Sequence, residues 1–156
     1  MDTPKQQAMR QAGILLKDGR TAALSVLDVE GGGPFTTLVN VAAAGDKRPL
    51  LLISSLAHHS KCLARDNRAS LMLHDPIATT EDPMLTFRVT LLGRFTRIEA
   101  SDAQQYFLGR HPYAELYAGF GDFSYWHMEA EHAHIIAGFG RAYGVRFKDI
   151  AELMST

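Results

Sequence analysis

Residues Ser54-Ser55-Leu56-Ala57-His58-His59-Ser60-Lys61 bring hydroxyls, imidazoles and an ammonium into one short segment, directly after the apolar run Leu51-Leu52-Ile53. The apolar run reads as the end of a buried strand, and the polar residues fall where a helix should begin. A helix N-terminus with such donors is a ready anion site, most often for phosphate. The plainer reading of the same residues is that Ser54 or Ser55 caps the helix and the histidines lie on its exposed face.

Other groups invite chemistry less clearly. His58 and His59 point about 100° apart on a helix and cannot easily chelate one ion together. His58 precedes Cys62 by one turn on the same face, the weak outline of a base beside a thiol; a structural thiol is the simpler account. His132 and His134 alternate beside Glu129 and Glu131, with no paired-ligand spacing around them, and no metal site is expected there. Gly138-Phe139-Gly140-Arg141-Ala142-Tyr143-Gly144 is one residue too long for a dinucleotide fingerprint and lacks a βαβ unit.

Composition narrows the field. The chain of 156 residues suits one domain with a real core. A net charge of −1 gives no electrostatic case for nucleic acid or an anionic membrane. A single cysteine excludes an internal disulfide and fits a reducing compartment. The polar N-terminus has no signal-peptide core, and no apolar run nears the roughly 20 residues that span a bilayer. Cytoplasmic location is the expectation.

The elements that position these residues are legible in outline. Thr3-Pro4-Lys5-Gln6 forms a capping box for a helix over about 3–17, closed by Gly19 with its freedom to take positive φ. Strands are predicted over Thr21–Leu27, Phe35–Val41, Leu50–Ile53, Ala69–Leu73, Met84–Ile98, Tyr125–Glu129 and His134–Ala137. Along the longest, Leu85, Phe87, Val89 and Leu91 share a face, and Gly93 marks a bend or bulge. Leu56–Arg65 should form a helix, Pro76–Pro83 a loop, Ser101-Asp102-Ala103-Gln104 a second capping box, and Lys148–Met154 a closing helix. Short links make the sheet mostly antiparallel. The fold expected is α+β, mainly β: a small barrel of about six or seven strands with helices at its margins.

The series Ser54-Ser55-Leu56-Ala57-His58-His59-Ser60-Lys61-Cys62, Asp66-Asn67-Arg68-Ala69-Ser70-Leu71, His111-Pro112-Tyr113-Ala114, Asp122-Phe123 and Ala137-Gly138-Phe139-Gly140-Arg141-Ala142 resembles the pyridoxamine 5′-phosphate oxidase-like superfamily of FMN-binding split barrels. The likeness runs over roughly residues 20 to 143 and is strongest to its heme-utilisation group. Asn67 stands where that group has proline and Cys62 where it has asparagine; its larger members also carry a C-terminal domain beyond the equivalent of Thr156. The resemblance implies one split-barrel domain over 1–156 with a short C-terminal tail, and a homodimer with cofactor at the interface. It implies FMN contacts from Arg20 at the first strand, Ser54, Ser55 and Leu56 at the third, His59, Ser60 and Lys61 at the phosphate, Arg88 on the long strand, and Gly138 and Phe139 along the groove. It implies an FMN-dependent oxidoreductase whose small-molecule substrate and catalytic side chains the residues do not name. Heme, with His59 or another histidine as ligand, is the alternative cofactor, and a cofactor-free structural dimer the third reading. The tail Arg146-Phe147-Lys148-Asp149-Ile150 lacks the substrate-gripping tryptophan, arginine and histidine of true pyridoxamine phosphate oxidases.

Overall fold

In the computed structural model, which describes residues 1–79 and 81–155, eight strands form one fully antiparallel sheet ordered β2-β1-β5-β6-β7-β4-β3, with β8 also paired to β7. The strands are β1 (Thr21–Leu27), β2 (Pro34–Asn40), β3 (Ala42–Ala43), β4 (Pro49–Ser54), β5 (Arg68–His74), β6 (Arg88–Ile98), β7 (Phe123–Ile136) and β8 (Ala142–Arg146). The helices are α1 (Pro4–Asp18), α2 (His58–Arg65), α3 (Ala100–Arg110), α4 (Glu115–Ala118) and α5 (Phe147–Met154). Thr80, in the expected loop Pro76–Pro83, and Thr156, at the end of the expected tail, lie outside the described residues.

β4 explains why its sequence reads as an unbroken apolar run. Leu51 and Ile53 join the larger core with Leu24, Leu71, Val89, Leu91, Phe95 and Met128, while Leu50 and Leu52 join a second cluster with Phe107, Ala114 and Tyr125. A strand buried on both faces has no polar side to alternate with. Truncating a fully buried leucine such as Leu51 would cost about 2–5 kcal/mol.

The capping box at Thr3 and Gln6 forms as expected, and Ala8, Met9, Ala12 and Leu16 turn one face of α1 into the core. Gly19 departs from expectation. Its φ is −63°, and its missing Cβ instead makes room for Leu73 and the Leu15 carbonyl. Gly13 likewise admits α5, because a Cβ there would lie 2.5 Å from Met154.

Other expectations are corrected. The two final strands are one strand, β7, and the tail after Gly140 returns as β8. β6 begins at Arg88, preceded by a 3₁₀ turn over Pro83–Leu85, because Asp82 caps that turn and Pro83 starts it. The helix after Glu99 starts at Ala100 with no side-chain cap, so Ser101 and Gln104 make no capping box. The bend anticipated at Gly93 is a bulge in which β7 inserts Glu131 opposite the Leu92–Gly93 step. No helix among the described residues is long and apolar enough to cross a membrane.

Candidate functional site

Ser54 ends β4 and ties down the turn that follows. Its Oγ donates to Asp122 Oδ2 at 2.6 Å and accepts from Leu56 N–H at 3.1 Å, while Ser55 N–H donates to the Asp122 carbonyl at 2.8 Å. The turn delivers the chain to α2, whose N-cap is Ala57, with no side-chain cap at all. The capping role expected of Ser54 or Ser55 is therefore absent: Ser54 is spent on Asp122, three residues too early to reach the first turn.

α2 packs against β1. A groove of about 760 Å³ is lined by residues of both α2 and β6. Its apolar wall is Ile53, Leu63, Phe95 and Trp126; its cationic side chains are Lys61, Arg65, Arg94 and Arg97. Ser55, Ser60 and Ser124 add hydroxyls. Ser60 is 5% exposed, and its Oγ is sealed from solvent without a hydrogen-bond partner. A buried hydroxyl without a partner is costly, and a rotation of Ser60 toward the groove would give it one.

The segment Asp66-Asn67-Arg68 closes the groove's far end. Arg68 Nε and Nη2 grip Asp66, whose carboxyl is held down to about 2, first by that side-chain hydrogen bond and then by the Arg68 amide. Asn67 accepts from Arg94 Nη1 at 3.1 Å, and its carbonyl accepts from Phe95 N–H at 2.9 Å. The end of α2 is thus fixed to β6, the strand that supplies Arg94 and Arg97.

Of the residues singled out in the sequence, the structure brings Ser55, Ser60 and Lys61 to this groove. Leu56 stands beside it on the turn, 75% exposed. His59 does not line it. Its Nε2 is buried and unpartnered, and burial, then the neighbouring His58, pushes its pKa down, so the ring is neutral and offers no charge to an anion. Arg88, Gly138 and Phe139 gather at the opposite end of β6. Arg88 pairs with Ile136 and donates to the Met84 and Thr86 carbonyls, and Gly138 and Phe139 follow in the β7–β8 turn, with Gly138 at φ 134°. Arg20 lies apart from both, its carbonyl accepting from Val41 N–H and its charge helping to depress the pKa of His111.

The sequence reading missed Arg65, Arg94 and Arg97. The only available signal was the Asp66-Asn67-Arg68 series, whose partner strand is not evident from local pattern. His111, in the His-Pro-Tyr-Ala series, is fully buried; Nε2 donates to the Val41 carbonyl at 2.8 Å and Nδ1 accepts from the Tyr113 hydroxyl at 2.7 Å. It serves the fold rather than the groove.

A curled antiparallel sheet with marginal helices and a polar-rimmed groove defines a protein of the split-barrel fold. The chain belongs to the family described as CREG, beta-barrel, which it matches over residues 3–152. It is 30% identical over 115 residues, 72% of its length, to the chloroplastic non-canonical heme oxygenase HOZ of Arabidopsis thaliana. The chain spans about a third of that relative, with 34% covered. A heme binding protein from Mycobacterium smegmatis superposes with a TM-score of 0.85 at 26% identity, over 97% of this chain and 62% of that one. A Clostridium acetobutylicum protein related to general stress protein 26, of the pyridoxinephosphate oxidase family, shares the fold at a TM-score of 0.70 and 15% identity, over 96% of this chain and 99% of that one.

Proposed function

We propose that the groove between α2 and β6 binds heme and that the chain takes part in heme handling. The observation that carries this reading is the division of the groove into an apolar wall of Ile53, Leu63, Phe95 and Trp126 and a rim of Lys61, Arg65, Arg94 and Arg97. A porphyrin is a flat apolar ring with two carboxylates on one edge. Such a ligand sets its face against the wall and its carboxylates against the arginines, where charge-assisted hydrogen bonds are strongest. The names of the Arabidopsis and Mycobacterium relatives support the same ligand. Heme would supply iron redox and oxygen chemistry; the chain's own residues would hold its carboxylates and exclude water from its face. Leu56, exposed at the edge of the groove, gives a second copy of the chain an apolar contact, and the proposal includes a homodimer closing the site.

FMN is the second reading, favoured by Ser60. Ser60 and Lys61 both line the groove, and a hydroxyl with an ammonium is a donor pair for a phosphate monoester once the Ser60 side chain rotates toward it. In that case the flavin would carry oxidoreductase chemistry on a small molecule.

Purified chain titrated separately with hemin and with FMN distinguishes them. A saturating Soret shift with hemin, and no flavin retained after gel filtration, supports heme. Retained FMN with quenched fluorescence, and only non-saturating hemin uptake, replaces it with the second reading. Retention of neither sinks both.

A further inference from the structure

Asp28, His58 and Cys62 meet on the face of α2 adjoining β1, and none of them lines the α2–β6 groove. Asp28 follows the last residue of β1. It opens the hairpin turn to β2, with its amide donating to the Gly33 carbonyl and its Oδ1 accepting from Glu30 N–H at 3.0 Å. His58 is the first residue of α2, and Cys62 is one turn further on the same face. Thirty residues apart in sequence, Asp28 Oδ1 and His58 Nε2 lie 3.1 Å apart. One carboxylate oxygen, one ring nitrogen and the Cys62 sulfur all fall within 4.8 Å of one another.

We propose that these three side chains form a site for a borderline divalent metal ion of the zinc class. The donor set is one oxygen, one nitrogen and one sulfur, which suits zinc or cobalt(II) and excludes the hard all-oxygen preferences of magnesium and calcium. Bond lengths of about 2.0 Å to oxygen and nitrogen and about 2.3 Å to sulfur place such ligands roughly 3–4 Å apart, so small side-chain rotations suffice. A carboxylate and a thiolate together neutralise a divalent ion, which removes the usual cost of burying charge. Cys62 is fully buried, which rules against a role as a free nucleophile but not as a ligand approached from the side. The carboxylate and the imidazole, partly exposed, leave a fourth position open to water. Two supports hold the ligands: the Glu30 amide orients the carboxylate, and the Phe35 ring packs edge-on against His58 at 4.8 Å. The ion would pin the β1–β2 turn to α2, the helix that carries Ser60 and Lys61.

The test uses the untagged full-length chain, reduced and stripped with chelator, then titrated with cobalt(II) chloride. Cys62 is the only cysteine, so a sulfur-to-cobalt charge-transfer band in the near ultraviolet can come from no other residue. The expected result is a band that saturates at one cobalt per chain, is displaced by zinc, and weakens at least about tenfold in apparent affinity in both His58→Gln and Asp28→Asn. The partly exposed His58 and Asp28 side chains make these variants safe for folding, whatever Cys62→Ser does. Absence of the band in the parent chain, or a titration unchanged in both variants, overturns the proposal. Histidines elsewhere, such as His132 and His134, can bind cobalt but cannot produce the band.

Discussion

Ser54 Oγ donates to Asp122 Oδ2 at 2.6 Å across the end of the β4–β7 pair, joining residues 68 positions apart. The same hydroxyl accepts from Leu56 N–H, so one side chain closes the strand pair and shapes the turn into α2. Ser54→Ala leaves the Asp122 carboxylate without this donor in a half-buried place. A hydrogen bond to a charged group contributes about 1.5–3 kcal/mol, and the lower end is expected here. Urea unfolding should show that loss, with an unchanged slope. A loss within error would mean that solvent replaces the hydroxyl freely.

Gly93→Ala should be among the most damaging single changes in the chain. A Cβ at Gly93 would lie 2.1 Å from the Glu129 carbonyl oxygen and 2.9 Å from Ala130 Cα, both backbone. Neither can rotate away, so the bulge must open or β6 must shift its register. The expected cost is on the order of 3 kcal/mol. Gly33→Ala, where nothing lies within 4 Å of the added carbon, should fall within about 0.5 kcal/mol of the parent. Comparable melting temperatures for the two variants would contradict this account.

Gly93 also marks how far local pattern reaches. The Gly93 break and the α1 capping box were legible because each is written within a few consecutive residues. The single strand β7 was not, because Glu129, Glu131 and His132 interrupt its apolar rhythm just where the bulge sits. β8 was hidden by Gly144 and by its place at the sheet margin, where it pairs with β7. The groove was half legible. Ser60 and Lys61 follow from the strand-to-helix pattern, but Arg94 enters through a contact with Asn67, 27 residues away, that no spacing rule encodes. The meeting of Asp28 with His58 is of the same long-range kind.

His111 makes stability depend on pH. The Val41 carbonyl can only accept, so Nε2 carries a proton, and in the neutral ring Nδ1 accepts from the Tyr113 hydroxyl. Burial depresses its pKa below the usual histidine value; the Val41 bond opposes this, and the Arg20 and Arg110 charges reinforce it. His59 is depressed in the same direction. Below about pH 6.5 the unfolded chain binds protons at these histidines that the folded chain refuses. Their stabilising contribution is therefore complete above that pH and is lost as pH falls toward the lower folded values. Urea midpoints should decline from about pH 7 to about pH 5. His111→Gln should be less stable at pH 7 but show a shallower decline. An equally steep profile in that variant would assign the dependence to His59 or to carboxylates.

The arginines of β6 give the most direct test of where the ligand sits. Arg94 and Arg97 line the α2 groove, whereas Arg88 lies six residues along the same strand from Arg94, roughly 20 Å away at strand rise. Arg97 is exposed and makes no ion pair with a described residue, so its charge is free to meet a ligand carboxylate or phosphate. Arg97→Gln should change folding stability by less than about 0.5 kcal/mol yet weaken hemin or FMN binding about tenfold, the size of one lost charge-assisted hydrogen bond. Arg94→Gln should weaken binding as much and also loosen the Asn67 junction. The slope of affinity against salt should flatten in both, because the lost term is electrostatic. Arg88→Gln should leave affinity unchanged, since Arg88 is committed to the Met84 and Thr86 carbonyls. The reverse ranking, with Arg88→Gln the weakest binder, would move the ligand to the far end of the sheet, beside Gly138 and Phe139.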